Sequence, residues 1–109
     1  LIGLQQATAL MMTGDKVTAS EAQQMGMIYK VFADDSFMND VLAFATNLSN
    51  MPTKGLGLTK RLLNESLFNT HEKQLAREGI IQVDAASTMD YAEGVNAFLE
   101  KRKPEFKGK

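Results

Sequence analysis

Apolar positions along the chain recur at steps of three and four, and turn-forming and capping residues interrupt them at short intervals. Leu4, Ala7 and Met11 share one face of a predicted helix over residues 3–13, which Gly14 stops. Gly14-Asp15 supplies a turn, and Thr18 stands three residues before Glu21, the capping-box spacing. A short helix is therefore predicted over residues 19–25, with Gly26 as its left-handed stop. Residues 27–32 are apolar and aromatic-rich and are the one candidate for an extended segment. Asp34, Asp35 and Ser36 can cap the next helix, whose stripe is Phe37, Val41, Phe44 and Leu48. Asn50-Met51-Pro52 ends it, because the residue before proline avoids the helical region.

Pro52-Thr53 opens a further helix with the stripe Leu58, Leu62, Leu63 and Leu67, although Gly55 and Gly57 weaken its start. The next covers residues 72–86 and uses Leu75, Ile80 and Val83. Asp90 and Glu93 repeat the capping-box spacing ahead of a last helix. Its Tyr91, Val95, Phe98 and Leu99 are expected to face inward, and Pro104 lies just past its end. The pattern predicts an all-α chain of about five to six helices, a single helical domain over residues 1–109. A lone strand would leave its backbone groups unpaired. Either residues 27–32 are not a strand, or their partner is elsewhere.

Composition narrows the partners. The length of 109 residues suits one domain, and an apolar fraction of 44% permits a core. A formal net charge of -1 gives no field that would favour nucleic acid or an anionic membrane, and neither is expected as a partner. No apolar run approaches the roughly 20 residues that span a bilayer, and no signal peptide is visible. A cytoplasmic location is expected. The absence of cysteine excludes disulfides and thiolate catalysis. The chain starts at Leu1 rather than Met, which fits a fragment, a processed product or a trimmed chain.

Few residues offer chemistry. His71, the one histidine, lacks the second histidine of a zinc-protease helix and reads as a capping or surface residue. Glu65, Glu72 and Glu78 lie near Arg61 and Lys73, as on ordinary solvated helix faces. Gly55-Leu56-Gly57 lacks the lysine spacing of a phosphate loop. The seven methionines are spread through the apolar stripes and read as core filling. No catalytic residue and no metal ligand are assigned. The tail differs: Lys101, Arg102, Lys103, Lys107 and Lys109 cluster against Glu100 and Glu105, with Phe98 and Phe106 beside them. Such a cationic helix end with an aromatic can hold a phosphorylated, ring-bearing ligand. Equally, cations favour any helix C-terminus and keep it soluble.

These residues also carry a resemblance. Thr13-Gly14-Asp15-Lys16-Val17, then Ala19-Ser20-Glu21-Ala22, then Gly26-Met27-Ile28 and Val31 resemble the segment that follows the catalytic region of crotonase-type enoyl-CoA hydratases and isomerases. Asp90-Tyr91-Ala92-Glu93-Gly94-Val95, Ala97-Phe98-Leu99-Glu100-Lys101-Arg102, Pro104 and Phe106 resemble the end of the same family. The resemblance runs from about Gly3 to Lys109. Met27 stands where the family commonly has leucine, a volume-conserving change. The Glu-Gly-Val and Lys-Arg-x-Pro wording leans toward isomerases of ring-type phenylacetyl-CoA intermediates.

The resemblance implies the C-terminal helical domain of the crotonase fold, with much of a trimer contact. The family's oxyanion hole and catalytic carboxylates lie upstream of the matching region, so the piece alone is expected to be inactive. Coenzyme A thioester would be the substrate of the complete enzyme, with no cofactor held by this piece alone. Phe98 matches an aromatic near the coenzyme A adenine, and Lys101 a lysine that can pair with a coenzyme A phosphate. A homo-oligomer, dimer or trimer, is implied. The alternative is a non-catalytic helical protein-interaction module.

Overall fold

The computed structural model describes all 109 residues, Leu1–Lys109. Its elements are α1 (Gly3–Thr13), α2 (Ala19–Gln24), α3 (Phe37–Ser49), α4 (Thr53–Ser66), α5 (His71–Ala86) and α6 (Met89–Leu99), with no strand. They form two compact units, Leu1–Val41 and Leu42–Lys109, divided within α3.

In the first unit the punctuation works as predicted. Gly14 ends α1 at φ 68°, with its N–H donating to the Leu10 carbonyl at 3.0 Å. No residue of α1 is buried, and Leu4, Met11 and Met12 are exposed. Thr18 and Glu21 close a complete capping box at the start of α2. The Thr18 hydroxyl and backbone N–H donate to the Glu21 carboxylate and hold it below the usual carboxylate range. Gly26, at φ 78°, closes α2: its N–H donates to Gln23, while Met27 N–H donates to Ala22 at 2.8 Å. This is a Schellman closure, and it buries Ala22.

The extended segment expected over residues 27–32 is not a strand. Residues 27–29 are bends, and no ladder forms. The Met27 and Ile28 amides turn back onto the Ala22 carbonyl, and Gln23 Nε2 donates to the Tyr29 carbonyl at 3.4 Å. Amides spent on closing a helix are not free to pair sideways. The aromatic residues serve local packing instead, with Phe32 edge-on to Phe37 at 6.3 Å and the Lys30 ammonium over the Phe32 ring at 4.8 Å.

In the second unit α4 packs on α5, and α5 meets α6. The face of α4 toward α5 is Gly55, Leu58, Leu62 and Glu65, all half-buried at helical spacing. Leu63 and Leu67, expected in this stripe, are exposed. The face of α5 is Gln74, Arg77, Ile81 and Ala85; Leu75, Ile80 and Val83 point outward. The contact therefore combines a small apolar centre with a polar seam. Arg77 Nε donates to Glu65 at 2.7 Å and Nη2 at 3.3 Å, lowering the Glu65 pKa and raising that of Arg77. Gln74 accepts from Asn69 Nδ2 at 3.0 Å and donates to the Leu62 carbonyl at 3.5 Å. His71 sits on the exposed first turn of α5, and Thr70 is the cap.

Candidate ligand-binding end of the last helix

Helix α6 begins two positions earlier than Asp90 as a cap would require. Thr88 is the N-cap, and its hydroxyl accepts from Tyr91 N–H at 3.1 Å. Asp90 and Glu93 are thus freed from the capping role expected of them. Asp90 is 3% exposed, and its two carboxylate oxygens accept from the backbone N–H groups of Lys107 at 2.6 Å and Gly108 at 2.8 Å. Its own N–H donates to the Lys109 carbonyl at 3.1 Å. Glu93 accepts from both Arg102 Nη atoms, at 2.6 and 2.9 Å, and from Glu105 N–H at 2.8 Å. These charge-assisted bonds bring its carboxyl down to about 2 and raise the Arg102 pKa. Residues 100–109 consequently fold back along α6 as a strap.

The turn into the strap is a second Schellman closure. Arg102 N–H donates to the Ala97 carbonyl at 3.0 Å and Lys101 N–H to the Phe98 carbonyl at 3.3 Å. Lys101 occupies the left-handed position at φ 54°, where glycine is usual. Further along, Gly108 is also left-handed at φ 72°, and a Cβ there would come 2.5 Å from Thr53 Oγ1. Phe106 lies against Gly94, whose Cβ position is 3.6 Å from the ring. Between α6, the start of α4 and Phe106 runs an apolar groove of about 420 Å³, lined by Pro52, Tyr91, Val95, Phe98 and Leu99 among others.

The inward face of α6 is therefore rotated about one position from the one expected. Ala97 and Asp90 are buried and Gly94 half-buried, whereas Tyr91, Val95, Leu99 and Phe98 are exposed, the last to 82%. Phe98 stands on the groove, and Lys101 follows it at the helix end, exposed and free of any ion pair. Arg102 is spent on Glu93 and Glu100. An aromatic face beside an unpaired cation is an arrangement that can take a phosphorylated ring compound by stacking and ion pairing. No group of three or more His, Asp or Glu side chains is placed to hold a metal ion. No helix is long and apolar enough to cross a membrane.

Comparison with known proteins gives the family. The enoyl-CoA hydratase/isomerase family model matches residues 1–109. The chain belongs to the enoyl-CoA hydratase/isomerase family. It is 39% identical over 107 residues to the 1,2-epoxyphenylacetyl-CoA isomerase of Escherichia coli K12, covering 98% of this chain and 41% of that protein. It is 33% identical over 108 residues to a probable enoyl-CoA hydratase of Rhodobacter capsulatus, covering 99% of this chain and 42% of that one. An enoyl-CoA hydratase structure from Geobacillus kaustophilus superposes with a TM-score of 0.93 at 29% identity, over 100% of this chain and 41% of that one. The chain thus spans about two-fifths of the length of these relatives.

One expectation is corrected here. The reading of the chain as the C-terminal helical domain of the crotonase fold conflicts with this coverage. The matches take in all of the chain together with about two-fifths of a longer fold, and they mark out no separate C-terminal helical domain. Helix content is decided locally and does not place a stretch within a longer fold. The chain is all-helical and a family member, but it is not assigned to that domain.

Asp90 and Glu93 read from the sequence as a capping box and Arg102 as one cation of the tail; the structure instead joins them to the strap, Glu93 to Arg102 and Asp90 to the Lys107 and Gly108 amides.

Proposed function

We propose that the chain is the helical, ligand-gripping part of an acyl-CoA isomerase or hydratase and does no chemistry by itself. The observation that carries this reading is the family match over residues 1–109. Phe98 would stack on the adenine of coenzyme A, and Lys101 would pair with one of its phosphates. The exposure of both residues and the pairing of Arg102 by acids support that division of labour. Similarity to an isomerase of 1,2-epoxyphenylacetyl-CoA favours a ring-bearing acyl group and isomerisation over hydration. The reaction needs donors aimed at the thioester oxyanion, and removing even one such donor costs about 10²–10³ in rate. No residue of the chain is assigned that role, so turnover is assigned to the rest of the enzyme. Association of copies in a dimer or trimer, in the cytoplasm, belongs to the same proposal. Exposed apolar side chains such as Leu63, Leu67 and Phe68 support it.

The test is a titration of the ¹⁵N-labelled chain with coenzyme A carried to high concentration, because a contact through two exposed side chains is too weak for this piece to hold the ligand by itself yet still shifts the amides it touches. Amides around Phe98 and Lys101 should shift, and Lys101→Ala should weaken the response. A short trans-enoyl-CoA in the same buffer should not turn over. Shifts elsewhere in the chain, or a response indifferent to Lys101→Ala, would refute the assignment.

A further inference from the structure

Phe98 and Lys101 are fixed by different means. Phe98 lies within α6, so the helix backbone sets its position. Lys101 lies beyond the helix end, in the left-handed conformation that a non-glycine residue adopts only when its surroundings impose it. Backbone bonds from Lys101 and Arg102 to the last turn begin that constraint. The carboxylate of half-buried Glu93, about two turns back along α6, completes it. It takes both Nη atoms of Arg102, the residue directly after Lys101, and the N–H of Glu105. Glu93 thus holds the strap just past Lys101 at two points, while Asp90 holds the far end.

We infer that Glu93 is a positioning residue that presents Lys101 to the phosphate of the ligand. The inference rests on the proposed coenzyme A reading and deepens it. Arg102, which looks from its charge like a second phosphate ligand, serves as the arm that Glu93 grips. A lysine on a free strap must lose its freedom when it meets a phosphate, whereas one already held has lost it beforehand.

Coenzyme A carries phosphates and adenosine carries none, so the two ligands separate the roles. The labelled chain is titrated with each, as wild type, Glu93→Gln, Lys101→Ala and the double variant. Glu93→Gln should weaken coenzyme A roughly five- to thirtyfold, the cost of fixing the backbone of one residue at binding. It should leave adenosine unchanged and add nothing on top of Lys101→Ala. Unchanged coenzyme A affinity in Glu93→Gln, with Lys101→Ala still weakened, overturns the inference alone. So does an equal loss for both ligands, which would mean general loosening. A coenzyme A response that is absent, or indifferent to Lys101→Ala, overturns the coenzyme A reading and the inference together. If Glu93→Gln disturbs the α6 amides, Arg102→Gln breaks the same grip from the strap side and is judged by the same criteria.

Discussion

Replacing Asp90 by alanine should release the strap. Asp90 is 3% exposed and satisfies two backbone donors, Lys107 N–H at 2.6 Å and Gly108 N–H at 2.8 Å. Hydrogen bonds to a charged group contribute about 1.5–3 kcal/mol each, so the pair sets an upper bound of about 3–6 kcal/mol. The strap is at the surface, and its freed amides can turn to water, so the lower end of that range is expected. A loss of about 3 kcal/mol corresponds to roughly 10²-fold in a local opening equilibrium. Amide hydrogen exchange reads this directly. Lys107 and Gly108 should exchange about 10²-fold faster in Asp90→Ala, while amides in the middle of α5 hold their rates. Asp90→Asn should fall between, because it keeps one acceptor and turns an NH₂ toward the second donor. Unchanged exchange at both positions in Asp90→Ala would show that the strap is held by something other than this carboxylate.

Two further outcomes are expected. The Glu93 carboxyl, at about 2 rather than the ordinary 4.5, binds a proton less readily folded than unfolded. Its contribution to holding the strap is complete above pH 4.5 and is lost as pH falls toward 2; a carboxyl NMR titration with an ordinary midpoint would contradict the bidentate grip on Arg102. Gly94→Ala should be tolerated and should raise stability by up to about 1 kcal/mol through helix propensity, because a Cβ there meets the Phe106 ring at an ordinary 3.6 Å. A clear fall in the thermal midpoint would show that Phe106 needs the glycine's space.

Much of the helix order is legible in the residues themselves because it is punctuated locally. Gly14 and Gly26 can turn left-handed, Thr18 and Glu21 lie one turn apart, and Pro52 bars the residue before it from the helix. Each of these signals acts within five residues and needs no partner from afar. The family resemblance is legible for a similar reason, since its motifs are short and ordered. What the sequence leaves open is set by partners distant along the chain. The inward faces of α5 and α6 lie about one position away from the stripes of largest apolar residues, because the neighbours in this unit present Leu58, Leu62 and the strap. Residues 27–32 have strand-like composition, yet their first amides are claimed by Ala22. Asp90 and Glu93 match a capping box in spacing, but Thr88 takes the cap and leaves both carboxylates to groups 9 to 18 residues away. A carboxylate binds whichever donors the fold brings within 3 Å, and a spacing rule counts only those within one turn.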